Sequence, residues 1–341
     1  YTTDHTGKKV FEDTTTYPCV TVIKKTHPKS DSKIVVNESF EILQSKLDSH
    51  TWNLEPSHIL DLKEKVYSSS IRLKEIPSLK IRYGVKTGYN KAFIIDDEIK
   101  NTLIKQDFKN NEVIKPVVRG RDINASGINY QNIHIVVIKF GDGIDLESNF
   151  PTIYTYLRKY EKNLKNRGQV KNGQHHWLEL DNNPSLEYFA EFEKEKIVWS
   201  EIVSEPKFTF DDTGLYPEAT TFFLTTSGID LKYLTALLNS KLLFWIFKDI
   251  CTELRGGYVR YKKVFIEQLP IYLAMSESQK PIIEKADRML KLNKDLFDEI
   301  NGFKDWLTLT FKIEKFSKKL DKYYELSFND LLTELKKKKV D

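Results

Sequence analysis

The chain has 341 residues and a mass of 40.0 kDa, room for two or three domains, and its 40% hydrophobic content is enough for packed cores. A formal net charge of +4 permits a nucleic-acid partner without requiring one, and two cysteines, Cys19 and Cys251, exclude a disulfide framework and point to a reducing compartment, hence the cytoplasm. No apolar run approaches the ~20 residues of a membrane-spanning helix, and no signal peptide is present.

Along the chain, "CVTVI" near the start is a β-branched run that reads as a buried strand. Residues 27–54 are mixed and polar and read as a connector, followed by a helix in "EPSHILDLKEKVYSS" with Pro56 at its first turn. From residue 80 short strands are expected. "KIRYGV" and "AFIID" flank the "KTGYN" turn, a short helix is expected over 97–106, and "VIKPVV" leads into "RGRDI". "IHIVVIKF" is a strand, "FPTIYTYLRKYEKNLKNR" a helix opened by Pro151 and ended near Gly168, and "KIVWSEI" and "TTFFLTT" are strands. One helix is expected from Asp230 to Cys251, because Leu231, Leu234, Leu238, Leu242 and Trp245 recur at three- and four-residue spacing. Asp230 stands where a helix start favours an acid. From Ser276 on, long amphipathic helices carry interleaved charges, fifteen basic and thirteen acidic residues over 276–341, the pattern of a solvated scaffold. Tyr1 and the closing "LTELKKKKVD" look like cut ends, so a piece of a longer protein is expected.

Catalytic patterns are mostly missing. There is no phosphate-loop motif, no GxSxG, no HExxH and no cysteine-rich metal spacing. His175 and His176 are adjacent, and adjacent side chains point apart on a strand and do not face one another on a helix, which argues against a metal pair. Pro217, Glu218, Asp230 and Lys232 fit the loose spacing of a nuclease carboxylate motif, but Asp230 already has a role at a helix start.

Three stretches combine glycine with cations. "RYGVKTGYNKAF" sits in a segment, 71–91, with six basic residues against one acid, a net +5 that exceeds the charge of the whole chain. Its Lys86, Thr87, Asn90 and Lys91 are donors suited to phosphates or base edges, and Gly88 allows a backbone to come close to a ligand. "RGRDI" places Arg119 and Arg121 around a glycine, with Asp122 able to orient an arginine fork. "LRGGYVRYKK" groups Arg255, Gly256, Gly257, Arg260, Lys262 and Lys263 with two tyrosines, a mixture suited to a sugar-phosphate backbone and bases. Each has a plainer reading taken alone, a solvated hairpin or a structural ion pair. Together they favour a nucleic-acid surface.

The ordered blocks "RYGVKTGYNKAFIID", "IKPVVRGRDI", "FPTIYTYLRKYEKNLKNR", "EKIVWSEI", "YLTALLNSKLLFWIFK" and "LRGGYVRYKKVFIEQLPI" resemble the TaqI-like C-terminal specificity domain of adenine-specific DNA methyltransferases in restriction-modification systems, including type IIG enzymes. The family's Asn/Asp-Pro-Pro-Tyr motif and glycine-rich methyl-donor site do not occur, and "NNPS" at 182–185 is no substitute for the former. The resemblance implies an α+β target-recognition domain over 80–272, with 1–26 the tail of a methyltransferase domain, 27–79 a connector and 273–341 a helical extension. It implies double-stranded DNA and an upstream methyltransferase domain as partners. It also implies S-adenosylmethionine in the parent protein, with Mg²⁺ if an endonuclease is fused, and no catalytic, cofactor or metal residues in these 341. A stand-alone specificity subunit and a protein-interaction module meeting an acidic partner are the alternatives.

Overall fold

The computed structural model describes residues 2–4, 19–47, 54–125, 127–181, 185–251, 253–254, 256–313 and 315–338. The fold is α+β, built from several small sheets and flanking helices. No helix among the described residues is long and apolar enough to cross a membrane. The chain divides into two compact units, Tyr1–Ile76 with Lys241–Leu273, and Pro77–Ser240 with Ala274–Asp341.

The first unit holds a four-stranded sheet in the order Cys19–Thr21, Thr2–Asp4, Lys33–Val36, Phe40–Leu43. The last two strands form a hairpin inside the stretch that the sequence reads as a connector. Within "CVTVI", Cys19–Thr21 forms a strand, but not a buried one: among the described residues it lies at the sheet edge beside Thr2–Asp4, and Val20, like Val22 and Ile23 just beyond it, is exposed. Pro56 precedes the helix Ser57–Ser68. On that helix, buried Lys63 pairs with Glu55 and Asp249 and lies over the Trp245 ring. Tyr261 stacks on Phe247 with ring centroids 4.0 Å apart.

The second unit contains two four-stranded sheets. One runs Phe208–Asp211, Lys196–Ser200, Thr221–Thr225, Lys80–Tyr83, all antiparallel. The other runs Tyr216–Pro217, Ile114–Val118, Ile133–Val136, Ile94–Asp96. Lys196 and Asp211 form an ion pair of 2.6 Å that is fully enclosed in the first sheet. Such a pair is tolerable only when its remaining bonds are satisfied. Here Lys196 also donates to the Phe192 carbonyl, and Asp211 accepts from Thr213 and the Leu215 amide.

The sheets meet where the chain crosses between them. The Gly84 and Val85 amides donate to the carbonyls of Thr221 and Pro217 at 2.9 and 2.7 Å. A Cβ at position 84 would lie 2.1 Å from the Glu218 oxygen and 2.3 Å from that of Pro217. Both obstacles are backbone atoms, so neither can swing away.

The helices expected over 97–106 and after Pro151 are present, the first as Asp97–Gln106. The second is broken into Pro151–Arg158 and Glu161–Lys165, and beyond its expected end a short helix, Gly168–Lys171, follows Arg167, which is extended at φ −64°, ψ 143°. The single helix expected over 230–251 is two, Leu231–Leu238 and Lys241–Ile250. Asp230 caps the first, accepting from the amides of Lys232 and Tyr233. Asn239 ends it: its carboxamide accepts from the Phe208 amide and donates to carbonyls of Phe208, Thr235 and Ala125. The break shifts the apolar register, so Leu243, Ile246 and Phe247 are buried while Leu242 is exposed and Trp245 only partly covered.

The C-terminal part carries a helix, Ser276–Phe311, that lies along Leu231–Leu238, with Lys232 paired to Asp287 at 2.6 Å. Its far end forms a small core of Leu307, Ile313 and Leu320 with the helix Phe328–Lys336.

Two measurements test this packing. Gly84→Ala should destabilise the chain by at least the ~1–3 kcal/mol typical of overpacking, since only backbone movement can relieve the clash. An unchanged midpoint in chemical denaturation would refute the contact. The second concerns Glu191. Burial opposes its charge, yet hydrogen bonds from Lys80, Thr225 and Lys194 outweigh that and hold the carboxyl down at about 2. A depressed folded-state value stabilises above the ordinary carboxyl range and is lost as pH falls. Stability should therefore decline between about pH 4.5 and 2, and Glu191→Gln should lower stability at pH 7 and flatten that decline. Denaturation midpoints for both proteins over pH 2–7 would show it.

Candidate nucleic-acid interface

The strands Lys80–Tyr83 and Ile94–Asp96 belong to different sheets, so "KTGYN" is a crossing turn rather than a hairpin. Lys86, Asn90 and Lys91 are exposed on it. Lys86 lies over the Tyr83 ring at 5.1 Å, and its backbone bridges that of Asp181. Asn90 donates to the Glu218 carboxylate at 2.8 Å.

Two residues of this turn have roles different from those expected. Thr87 is buried and its hydroxyl bonds to the Asn90 side chain, so it orients Asn90 instead of facing a ligand. Gly88 has φ +68°, and a Cβ there would stand 2.6 Å from Asp181 and 2.8 Å from Arg167. The close approach that it permits is to the protein's own side chains.

"RGRDI" folds into a short 3-10 turn over Gly120–Asp122 at the end of the strand Ile114–Val118. Asp122 is nearly buried and fixes Arg119 through a 3.0 Å bond to its Nε. The orienting role expected for Asp122 is thus seen on Arg119, whereas Arg121 is 71% exposed and 4.0 Å from the same carboxylate. Gly120 is close-packed: a Cβ would meet the Ser200 hydroxyl at 2.7 Å.

The two motifs, some thirty residues apart in sequence, are fastened to one piece of backbone. Glu218 pairs with Val85 on one side, and its amide donates to the Val118 carbonyl at 2.8 Å on the other. Pro217 and Glu218, with Asp230 and Lys232, therefore have structural work in place of the nuclease pattern they resemble. No group of three or more His, Cys, Asp and Glu able to hold a metal ion exists among the described residues.

The third motif lies in the other compact unit. Glu253–Leu254 pairs with Tyr258–Arg260, Leu254 opposite Tyr258. Arg255 lies outside the described residues. Gly256 and Gly257 are exposed with φ +85° and +76°, values that side-chain-bearing residues rarely adopt. A Cβ on Gly257 would meet nothing within 4 Å. Tyr258 is half exposed, Arg260 and Lys262 are partly covered, and Lys263 is exposed beside Glu267 at 3.5 Å.

Arg167 is not singled out by any motif. It is one of six basic residues over 158–174, yet it alone is buried. Its guanidinium donates to the carbonyls of Thr87, Trp177 and Glu179 at 2.9, 2.8 and 2.7 Å and lies 3.5 Å from Asp181. Burial pushes its pKa down while Asp181 and Glu179 oppose the shift, and arginine keeps its charge.

Residues 115–271 match the model of the TaqI-like C-terminal specificity domain, and residues 275–341 match a domain of unknown function, DUF8810. The type II methyltransferase M.BstVI of Geobacillus stearothermophilus is 27% identical over 221 residues, 60% of this chain and 36% of that protein. The type II methyltransferase M.XhoI of Xanthomonas vasicola is 23% identical over 285 residues, 75% of this chain and 50% of that one. The chain thus spans between about a third and a half of the length of these relatives. A solved structure of the type IIL restriction-modification enzyme MmeI in complex with DNA aligns with 66% of this chain and 29% of its own, at 16% identity and a TM-score of 0.48. Residues 115–271 thus resemble the TaqI-like C-terminal specificity domain.

Proposed function

We propose that this chain is the target-recognition part of an adenine-specific methyltransferase of a restriction-modification system. Its task is to hold duplex DNA and read its sequence. Methyl transfer from S-adenosylmethionine is the work of a methyltransferase domain elsewhere in the whole protein. In this reading residues 80–272 form the recognition domain and 273–341 a helical extension.

The observation that carries the proposal is the convergence of two cationic glycine turns on Pro217–Glu218. It leaves Lys86, Asn90, Lys91 and Arg121 exposed on a frame that is otherwise buried and bonded. A polar surface on a rigid frame suits recognition better than a mobile charged loop, because less freedom is lost on binding. The family match over 115–271 and the methyltransferase relatives support it further.

The basic residues should divide by their attachment. Lys91 and Lys262 are flexible point charges, and their alanine variants should weaken binding to all duplexes and reduce the salt slope by about one. Arg121 holds an exposed fork, and its loss should cost on the order of 1–3 kcal/mol on the cognate duplex alone. Methylation mapping of the source genome supplies the cognate sequence. Binding of each variant to cognate and scrambled duplexes across a salt series is the measurement. Equal losses on both duplexes for all three variants would reduce the chain to an unspecific basic clamp.

A further inference from the structure

A buried arginine is expensive to keep and must be fixing something. Arg167 joins two segments. Through the Thr87 carbonyl it holds the turn 86–91, and through the carbonyls of Trp177 and Glu179 it holds the chain that returns towards Asp181. Between Arg167 and that return, the backbone makes one excursion.

The excursion starts in the helical turn Gly168–Lys171 and closes on itself. The amides of Asn172, Gly173 and Gln174 donate to the carbonyls of Gly168, Val170 and Gln169, each at 3.0 Å. Gly173 has φ +70°, with nothing within 4 Å of where its Cβ would be. His175 then re-enters the fold, its side chain 3% exposed and its Nε2 3.0 Å from the Asp181 carboxylate. Asp181 is the residue that bridges Lys86 and fills the space left by Gly88. Both ends of the excursion, Arg167 and His175, are therefore tied to the same aspartate and to the base of the turn 86–91.

The tip differs from its base. Lys171, Asn172, Gly173 and Gln174 are all exposed. Among the described residues, the side chains of Lys171, Asn172 and Gln174 make no hydrogen bond or ion pair. By contrast, Lys165, on the preceding helix, is already paired with Glu161. The surrounding segment, 158–174, has six basic residues against one acid, a net +5. An unpaired cation and two unpaired carboxamides stand on a rigid base, in one frame with the turn 86–91. An ammonium suits a phosphate, and carboxamides offer a donor and an acceptor to base edges.

We propose that the turn Lys171–Gln174 is a second DNA-contacting element, kept in fixed register with the turn 86–91 by the buried Arg167. Lys171 meets a phosphate, and Asn172 and Gln174 meet base edges. The proposal rests on the duplex-binding reading above.

The test uses the full chain, the cognate and scrambled duplexes, and thermal melting to establish the folded fraction of each variant. Lys171→Ala should weaken binding to both duplexes and lower the salt slope by about one, so that the loss between 50 and 200 mM salt shrinks roughly 3.5-fold. Asn172→Ala with Gln174→Ala should reduce the cognate-to-scrambled ratio by about fivefold or more. Arg167→Lys replaces a fork by a point donor. It should reduce the same ratio per folded molecule and raise hydrogen exchange at Gly88 and at 172–174 together. Lys291→Ala, on the exposed side of the long helix, serves as the neutral control. If wild type and Lys91→Ala differ in duplex binding while the tip variants match wild type, the second element is refuted and duplex binding stands. If the wild-type chain binds neither duplex, the duplex-binding reading fails and this proposal falls with it. If Arg167→Lys lowers only the melting temperature, with the ratio and the exchange pattern unchanged, the fixed-register claim is refuted.

Discussion

Everything at the exposed turns of the second unit depends on a backbone crossing that admits no side chain. Gly84 and Val85 pass Pro217 and Glu218 so closely that even a methyl group at position 84 would overlap two carbonyl oxygens. That crossing is where the chain leaves one four-stranded sheet for the other, twice: at 83–94 and at 217–221. The hydrogen bonds made there lock the strand ends together, and the turns "KTGYN" and "RGRD" begin within a few residues of the lock. Their positions follow from the sheets, so few of their exposed polar groups are used to hold them up.

Much of this was legible because the signals were local. Asp230 capping its helix, the helix over 97–106 and the strand around 114–118 follow from propensities that act over a few residues. The family resemblance was legible because six blocks kept their order. The features that were missed share a different cause. Asn239 divides a helix whose apolar spacing continues across the break, because its carboxamide bonds to Phe208 and Ala125, residues remote in sequence. "CVTVI" has the composition of a buried strand, but its Cys19–Thr21 sits at an edge, and position in a sheet is not written in the strand itself. Arg167 is one cation in a row of lysines and arginines, and only the four carbonyls around it, those of Leu164, Thr87, Trp177 and Glu179, show why it points inward.

Among the candidate residues, partnership separates roles that composition ran together. Thr87, Gly88 and Asp122 serve the protein's own geometry: one orients Asn90, one makes room for Asp181 and Arg167, one fixes Arg119. Lys86, Lys91 and Arg121 keep their charge at the surface. A salt bridge at the surface contributes little, so Lys263 beside Glu267 is only weakly restrained, whereas Arg119 against a nearly buried carboxylate is firmly placed. Glycine also splits in two: at 88 it is demanded by crowding, at 257 by backbone conformation alone.

The separation of anchors from tips bears on how such a protein can change over evolutionary time. The anchors Gly84, Glu218, Arg167 and Asp181 are enclosed or bonded on several sides, and substitutions there fall on stability. The tips Lys91, Arg121 and Lys171–Gln174 project into solvent, where most substitutions are close to neutral for folding. A lineage can therefore sample new tip residues one at a time without crossing the threshold below which the domain no longer folds. A fold divided in this way is able to drift in what it recognises while remaining the same fold.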